Sequence, residues 1–133
     1  MPAFTPEQNK AIVLEAFDTL FNRKDLAGAA RFWSPDYIQH SALVAAGRDG
    51  LFARVAAARP EMRYEHQLAV AEGDYVLLHG RFSNIEQPAA WVVVDICRLK
   101  NGILVEHWDV IQDEVGKAQS AGGHPMFGTV FPS

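Results

Sequence analysis

The chain has 133 residues, of which 49% are hydrophobic and 21% are charged, and its formal net charge is −4. This composition excludes a disordered chain and is typical of a folded protein, so we expect residues 1–133 to form one domain. The basic residues are scattered, which argues against nucleic acid or an anionic membrane surface as a partner, and no apolar run is long enough to span a bilayer.

The expected location follows from the N-terminus and the cysteine content. Residues 1–10, MPAFTPEQNK, lack the basic and then apolar layout of a secretory signal. The single cysteine, Cys97, excludes an intramolecular disulfide and is typical of a reducing compartment. We therefore expect a cytoplasmic protein.

The first predicted helix has a well-marked start. Thr5 can cap it, Pro6 occupies its first position, and Gln8 completes a capping box. Apolar residues then recur at helical spacing as far as Phe21, which predicts an amphipathic helix with one buried face.

Two further helices and a short strand are predicted before residue 61. Asp25 can cap a helix that runs through Phe32 and ends before Pro35, and Tyr37–Gln39 predicts a short strand. A third helix is predicted from Asp49 to Arg59.

The second half of the chain changes to the two-residue period of β-strands. The Asn101-Gly102 pair between two strongly β-forming segments predicts a hairpin. Helices first and hairpin-linked strands afterwards predict an α+β fold, in which a strongly curved antiparallel sheet packs on the N-terminal helices and encloses a pocket. The predicted strands are Met62–Ala71, Tyr75–Ser83, Ala90–Lys100 and Ile103–Asp113.

Ionisable residues alternate with apolar ones in the last two predicted strands. Alternation places His107 and Asp109 on one face of the last strand, and Asp95 on one face of the strand before it. The members of the first inward face are Val105, His107, Asp109 and Ile111, and those of the second are Trp91, Val93, Asp95, Cys97 and Leu99. The opposite face of the last strand would carry Leu104, Glu106, Trp108, Val110 and Gln112, and it has the character of a surface covered by a partner subunit.

If both inward faces line one pocket, Asp95, His107 and Asp109 converge there. Desolvation in an apolar pocket disfavours a charged carboxylate, and such a group can exchange protons with carbon at neutral pH. We expect Asp109 to be the base or proton shuttle, with Asp95 and His107 orienting it, tuning it or donating to a developing oxyanion. His40 is a further catalytic candidate at the pocket rim.

Aromatic residues are expected to bind the substrate. Tyr37 is close to His40 in sequence and can join it at the rim. The shape of the pocket would be set by large side chains, namely Trp33, Phe52, Phe82 and Trp91.

Three segments resemble the SnoaL-like polyketide cyclases: YIQHS (37–41), DICRLKNGILVEHWDVIQD (95–113) and HPMF (124–127). The resemblance implies the cone-shaped fold of the nuclear-transport-factor-like and ketosteroid-isomerase-like superfamily. It also implies a cofactor-independent aldol closure in which Asp109, directly after the Glu-His-Trp run, is the general acid/base. The spaced pattern of Arg98, Gly102, Glu106 and Trp108 is widespread in that superfamily. Three residues before Arg98 the cyclases carry a histidine, whereas this chain carries Asp95.

Purely structural interpretations of the same residues remain open at this stage. Asp109 and His107 could form a buried pair with each other. Asp95 could instead form a salt bridge with Arg98 or Arg81 and stabilise the sheet.

No cofactor or metal is expected from the sequence. His107, Asp109, Asp95 and His40 have suitable donor atoms, but their spacing matches no compact metal motif. Cys97 has no evident paired base and is expected to be a small buried residue rather than a nucleophile.

The sequence therefore predicts a cofactor-independent acid/base enzyme of the aldol cyclase, isomerase or lyase type, acting on a small apolar carbonyl compound. The alternative is a non-catalytic module that binds a small ligand or a partner, with the pocket filled by tail residues such as Met126 and Phe127. Exposed Trp108 and Val110 predict a homodimer formed through the outer face of the sheet.

Overall fold

The computed structural model describes residues 4–132. Residues 1–3 and 133, which belong to the predicted domain and in part to the N-terminal segment judged not to be a signal, lie outside the described residues. Within the described residues, no helix combines the length and the apolar character needed to cross a lipid bilayer.

The first helix, α1, spans Pro6–Phe17 and starts as predicted. The N–H of Gln8 donates to Oγ1 of Thr5 at 3.1 Å, and the N–H of Thr5 donates to Oε1 of Gln8 at 2.8 Å. Instead of continuing as an α-helix to Phe21, the chain forms a π-helical turn over Asp18–Asn22. The Thr19 hydroxyl donates to the Glu15 carbonyl at 2.8 Å, a kind of side-chain bond that bends helices.

The segments between residues 25 and 56 follow the predicted order with shifted ends. Helix α2 spans Leu26–Ala29 and is capped by Asp25, and a 3-10 turn over Ala30–Phe32 leads directly into strand β1, Trp33–Gln39. The strand is therefore longer than the predicted one. Helix α3 spans Gly47–Ala56, slightly earlier than predicted.

The sheet has five strands in the order β1-β5-β4-β3-β2. Four of them pair antiparallel in sequence order, as predicted, whereas β1 pairs parallel with β5 at the opposite edge. The sheet is thus mixed rather than purely antiparallel, because the connection through α3 carries the chain from β1 to the far edge. The antiparallel strands are β2 (Arg63–Glu72), β3 (Tyr75–Ser83), β4 (Trp91–Lys100) and β5 (Ile103–Asp113).

A bulge follows the predicted hairpin between β4 and β5. Asn101 and Gly102 both have positive φ, 51° and 75°, and close the turn. Arg98 then lies opposite Glu106, whereas the next residue, Leu99, lies opposite Leu104, so β5 carries one extra residue. Simple alternation placed Leu104 on the outer face, but the bulge turns it into the core, where it is 0% exposed.

The helices cover the concave face of the sheet, and aromatic rings fill the contact. Phe17 packs edge-on against Phe21 and Tyr64, with ring centroids 5.2 and 5.3 Å apart. The Tyr64 ring lies against Gly80 of β3, where a Cβ atom would come within 2.6 Å of a ring carbon. Glycine at this position therefore lets the ring lie directly on the sheet.

The spaced pattern from Arg98 to Trp108 describes the outer face. Glu106 accepts from Nε of Arg98 and bonds Nε2 of His40, both at 2.8 Å, and these two bonds lower the pKa of Glu106, the His40 bond most. The His40 ring stacks on Trp108 with centroids 4.7 Å apart and planes 1° apart. The pattern thus joins three strands on the side of the sheet away from the helices.

The tail packs, as predicted, but not in the pocket. The Phe127 ring lies 5.6 Å from the ring of His79, whose neighbours Leu78 and Gly80 in β3 point inward. The N–H of Val115 donates to Sδ of Met126 at 3.4 Å. Neither Met126 nor Phe127 lines the cavity, so the suggestion that they fill it is wrong.

Asn22 joins the helical layer to the edge of the sheet. Its Oδ1 accepts from the N–H of Tyr64 at 2.7 Å, and its Nδ2 donates to the Tyr64 carbonyl at 3.0 Å. Because β2 is an edge strand, the side chain takes the place of a neighbouring strand at this point.

Replacing Asn22 by Ala should lower the free energy of unfolding by about 1 to 3 kcal/mol, because two backbone groups lose their partners. Urea denaturation of both proteins measures the change. Asn22→Asp keeps the acceptor for the Tyr64 N–H and should lose less. Equal losses in the two variants would contradict this role.

Candidate functional site

A cavity lies between the concave face of the sheet and the helices, with about 730 Å³ of empty space including its mouth. Its walls are mainly apolar and aromatic, and they include Phe17, Phe21, Trp33, Met62, Phe82 and Trp91. The polar exceptions from the sheet are concentrated on β4, β5 and the end of β1, namely Asp95, His107, Asp109 and Gln39. A cavity of this kind suits a small ligand held by shape and oriented by a few polar groups.

The three predicted ionisable residues converge, as alternation along the strands indicated. Asp95 of β4 lies directly opposite Asp109 of β5, and Cys97 lies opposite His107. One donor atom from each of Asp95, His107 and Asp109 lies within 4.8 Å of the other two.

His107 is held through both ring nitrogens. Its Nε2 is 2.7 Å from Oδ1 of Asp95, and its Nδ1 is 2.7 Å from Oε1 of Gln39. His107 and Asp95 are only 6% and 4% exposed, so this is a buried pair. The partner of His107 is therefore Asp95 rather than Asp109.

The alternative salt bridges of Asp95 are not formed. Nε of Arg98 pairs with Glu106 at 2.8 Å, and Nε of Arg81 pairs with Glu114 at the same distance. Both arginines are thus engaged elsewhere, and Asp95 faces the cavity side of the sheet with His107 as its bonded partner.

Burial raises the pKa of Asp95, and the nearby charge of Asp109 acts in the same direction. The hydrogen bond and charge of His107 oppose this effect but do not cancel it. The second carboxyl oxygen, Oδ2, is buried and has no hydrogen-bond partner among the described residues. A lone buried oxygen is less costly in a neutral carboxylic acid than in a carboxylate, so the site favours the protonated form.

Asp109 and Tyr37 face the same cavity. Asp109 is half-buried, and no hydrogen bond ties its carboxylate to the described part of the chain. The Tyr37 ring stacks on His107 with centroids 6.2 Å apart, and burial raises the pKa of its phenol well above the usual range. Tyr37 therefore stays a hydrogen-bond donor at neutral pH. Burial likewise raises the pKa of the Cys97 thiol, as expected for an inert cysteine.

Two other candidates lie outside the cavity. His40 was expected at the rim, but its side chain lies on the outer face with Glu106 and Trp108, because alternation after Tyr37 turns residue 40 away. Phe52 was expected in the wall, but it packs edge-on against Trp33 at 5.8 Å and does not line the cavity. Trp33 and Trp91 do line it.

Gln39 is the polar residue of the site that sequence reasoning missed. It lies opposite His107 in the parallel pairing of β1 with β5. The same alternation that separates Tyr37 from His40 would have placed Gln39 with Tyr37 on the inner face.

Asp95, His107 and Asp109 could also hold a metal ion, since their donor atoms are close and chemically suitable. Two of the three donors, Nε2 of His107 and Oδ1 of Asp95, already bond to each other. A metal would have to replace that bond. The expectation of no metal stays a prediction.

Comparison with known proteins assigns the family. Residues 13–107 match the SnoaL-like domain family. The chain belongs to this family. Curated protein sequences give no significant match.

Three solved structures illustrate the likeness of this SnoaL-like protein to others. AclR, a proposed hydroxylase from Streptomyces galilaeus, is 28% identical over 81% of each chain, with a TM-score of 0.67. IdmH, a proposed polyketide cyclase from Streptomyces antibioticus, is 21% identical over 82% of this chain and 93% of its own, with a TM-score of 0.64. A proposed ketosteroid isomerase from Kribbella flavida is 16% identical over 80% of this chain and 79% of its own, with a TM-score of 0.70. The last two likenesses show the fold alone, which is the cone-type α+β fold that the sequence predicted.

The raised pKa of Asp95 has a measurable effect on stability. Above about pH 4 the unfolded chain releases the Asp95 proton, whereas the folded protein keeps it. The unfolded state then binds fewer protons, so the free energy of unfolding should fall with pH by at most about 1.4 kcal/mol per unit. The fall should begin near pH 4 and end at the raised pKa.

Because Asn does not titrate, the wild type should lose stability relative to Asp95→Asn across this window. Denaturant unfolding between about pH 4 and 5.5 measures the difference. Carboxyl-carbon NMR, with the variant used for assignment, reports the pKa of Asp95 directly. A difference that grows in favour of the wild type would show that ionised Asp95 stabilises the fold.

Proposed function

We propose that this SnoaL-like protein is a cofactor-independent acid/base enzyme that converts a small apolar carbonyl compound, with Asp109 as the group that moves the proton. The observation that carries the proposal is the cross-strand arrangement in the cavity. Half-buried Asp109 lies directly opposite Asp95, and Asp95 is bonded to His107 rather than to Asp109. Two carboxyl groups in such different environments can take different roles.

In the proposed reaction, the Asp109 carboxylate removes a proton from the carbon next to a carbonyl group. The electrons of the C–H bond form an enolate, whose oxygen accepts a hydrogen bond from the Tyr37 hydroxyl. In an aldol closure the enolate carbon bonds to a second carbonyl carbon of the same molecule, and the new alkoxide takes the proton from Asp109. In an isomerisation the proton returns to a different carbon. Both routes are redox-neutral and need no cofactor.

The cavity wall supports an apolar, flat substrate. Aromatic rings from both layers face the space, including Trp33 from β1 and Trp91 from β4. Trp33, Trp91 and Tyr37 would hold the substrate and direct its carbonyl toward the polar groups. The proposed assignments of the cyclase and isomerase structures above both involve carbonyl chemistry of this kind.

A non-catalytic binding module remains the competing outcome. Its strongest form required tail side chains to fill the cavity, and Met126 and Phe127 lie elsewhere. The same cavity could still bind a ligand without converting it, and turnover by the wild type separates the two.

Asp109→Asn should reduce the turnover of an enolisable dicarbonyl compound by about 100- to 10,000-fold, because the general base is removed and the shape of the side chain is kept. Substrates are screened by NMR for exchange of the proton next to the carbonyl with deuterium, which reports proton removal before any later step. The binding affinity should change far less than the rate.

Asp113→Asn is the matched control, since Asp113 lies four residues further along β5 but is exposed and outside the cavity lining. It should keep wild-type activity, and so should wild type treated with EDTA. Loss of activity on chelation would replace the proposal with metal-assisted chemistry. Binding without exchange in the wild type would favour the binding module.

We also propose that the protein forms a homodimer through the outer face of the sheet and works in the cytoplasm, with no nucleic acid or membrane as partner. Support for the dimer comes from large apolar side chains exposed on this face: Ile38, Leu68, Val70 and Val110. Val110 is 66% exposed and Leu68 is 57% exposed. Apolar patches of this kind are commonly covered by another subunit.

Val110→Lys should shift the protein from dimer to monomer, because a charge would be buried at the interface. Light scattering after gel filtration gives the mass, which for the monomer is 14.7 kDa. Val130→Lys is the control, since Val130 is an equally exposed valine in the tail. A wild type that is monomeric at high concentration would rule the dimer out.

A further inference from the structure

The amide group of Gln39 is oriented by the backbone. The N–H of Ser41 donates to Oε1 of Gln39 at 3.0 Å, and Nδ1 of His107 lies 2.7 Å from the same oxygen. A backbone N–H can only donate, so the Gln39 atom facing it must be the oxygen and not the NH₂ group. This bond therefore decides which way round the amide lies.

The fixed oxygen determines where His107 carries its proton. An amide oxygen can only accept, so Nδ1 of His107 must be the nitrogen that bears hydrogen. We propose that Gln39 is a positioning residue that holds the proton of His107 on Nδ1 and thereby leaves Nε2 to share one further proton with Asp95. Its effect on turnover rests on the proposed function, whereas the proton position does not.

The shared proton keeps the His107–Asp95 pair electrically neutral overall. A bare Nε2 lone pair facing an Asp95 carboxylate at 2.7 Å would be repulsive, so one proton must lie between them. The pair is then either a neutral imidazole with a carboxylic acid or an imidazolium with a carboxylate. Burial of Asp95 and its unpartnered Oδ2 favour the first arrangement.

Without the Gln39 oxygen, the imidazole could carry its proton on Nε2 and donate it to an Asp95 carboxylate. The pair would then have a net charge of −1 and would lie beside the Asp109 carboxylate. The other titratable groups that face the pair are Tyr37, Tyr64 and Cys97, and burial raises the pKa of each well above its usual range. Asp109 thus remains the single charge in the cavity only while Gln39 fixes the imidazole.

The test is nitrogen NMR of the histidine ring in protein labelled with ¹⁵N, recorded without substrate. Two-bond correlations between the ring protons and the ring nitrogens distinguish a nitrogen that bears hydrogen from one that does not. In the wild type we expect Nδ1 of His107 to bear hydrogen. A wild-type spectrum in which Nδ1 lacks hydrogen would overturn the inference without any variant.

Two variants of Gln39 separate the oxygen from the bulk of the side chain. Gln39→Leu removes the acceptor, and the proton should move to Nε2 of His107. Gln39→Glu keeps an acceptor for Ser41 and should keep the proton on Nδ1. Gln67→Leu is the matched control, because Oε1 of Gln67 likewise accepts a backbone N–H, that of Gly128 at 2.8 Å, but lies outside the cavity.

In the kinetic test, Gln39→Leu should lower kcat by about 10- to 100-fold with little change in KM, the usual effect of removing a partner that orients a catalytic imidazole. Unchanged ring nitrogens in Gln39→Leu would overturn the inference. If Gln39→Leu does not fold, the wild type and Gln39→Glu spectra still decide. If the proton moves as expected but the wild type converts no carbonyl compound, the proposed function fails and the positioning role stands.

Discussion

The buried bond between Asp95 and His107 is the constraint on which the rest of the site depends. Neither group can be buried without a partner at low cost, so the two strands that carry them must keep one register. The same requirement extends to β1, because Gln39 completes the hydrogen bonding of the imidazole from the neighbouring strand. Three strands that are distant in sequence are therefore held together by one set of polar groups, and Asp109 is left with its carboxylate free.

The two faces of the sheet divide the work of the molecule. The concave face carries aromatic walls around a small polar group, and this combination can both hold an apolar compound and exchange a proton with it. The outer face carries the ionic contacts of Glu106, the stacked His40 and Trp108, and the tail. Family membership is thus marked by residues on the outside as well as by those in the cavity. Similar outer faces can accompany different chemistry inside.

Local signals predicted much of the fold. The capping box at Thr5 and the turn at Asn101-Gly102 depend on neighbouring residues alone, and alternation brought Asp95, His107 and Asp109 together correctly. The parallel pairing of β1 with β5 joins segments nearly seventy residues apart, so no short pattern indicates it. Gln39 and His40 were misjudged for a related reason. Their faces follow from the full length of β1, whose first residues did not read as a strand.

The extra residue at Val105 links the core to the site. Leu104 and His107 are three positions apart, so in a regular strand they would point to opposite sides of the sheet. The bulge lets one end of β5 supply a buried leucine and the other end supply the ionisable groups. Substitutions at Val105 can preserve this arrangement, whereas a deletion there would turn either the leucine or the histidine and its neighbours outward. Among relatives of this chain, β5 should therefore vary in composition more readily than in length.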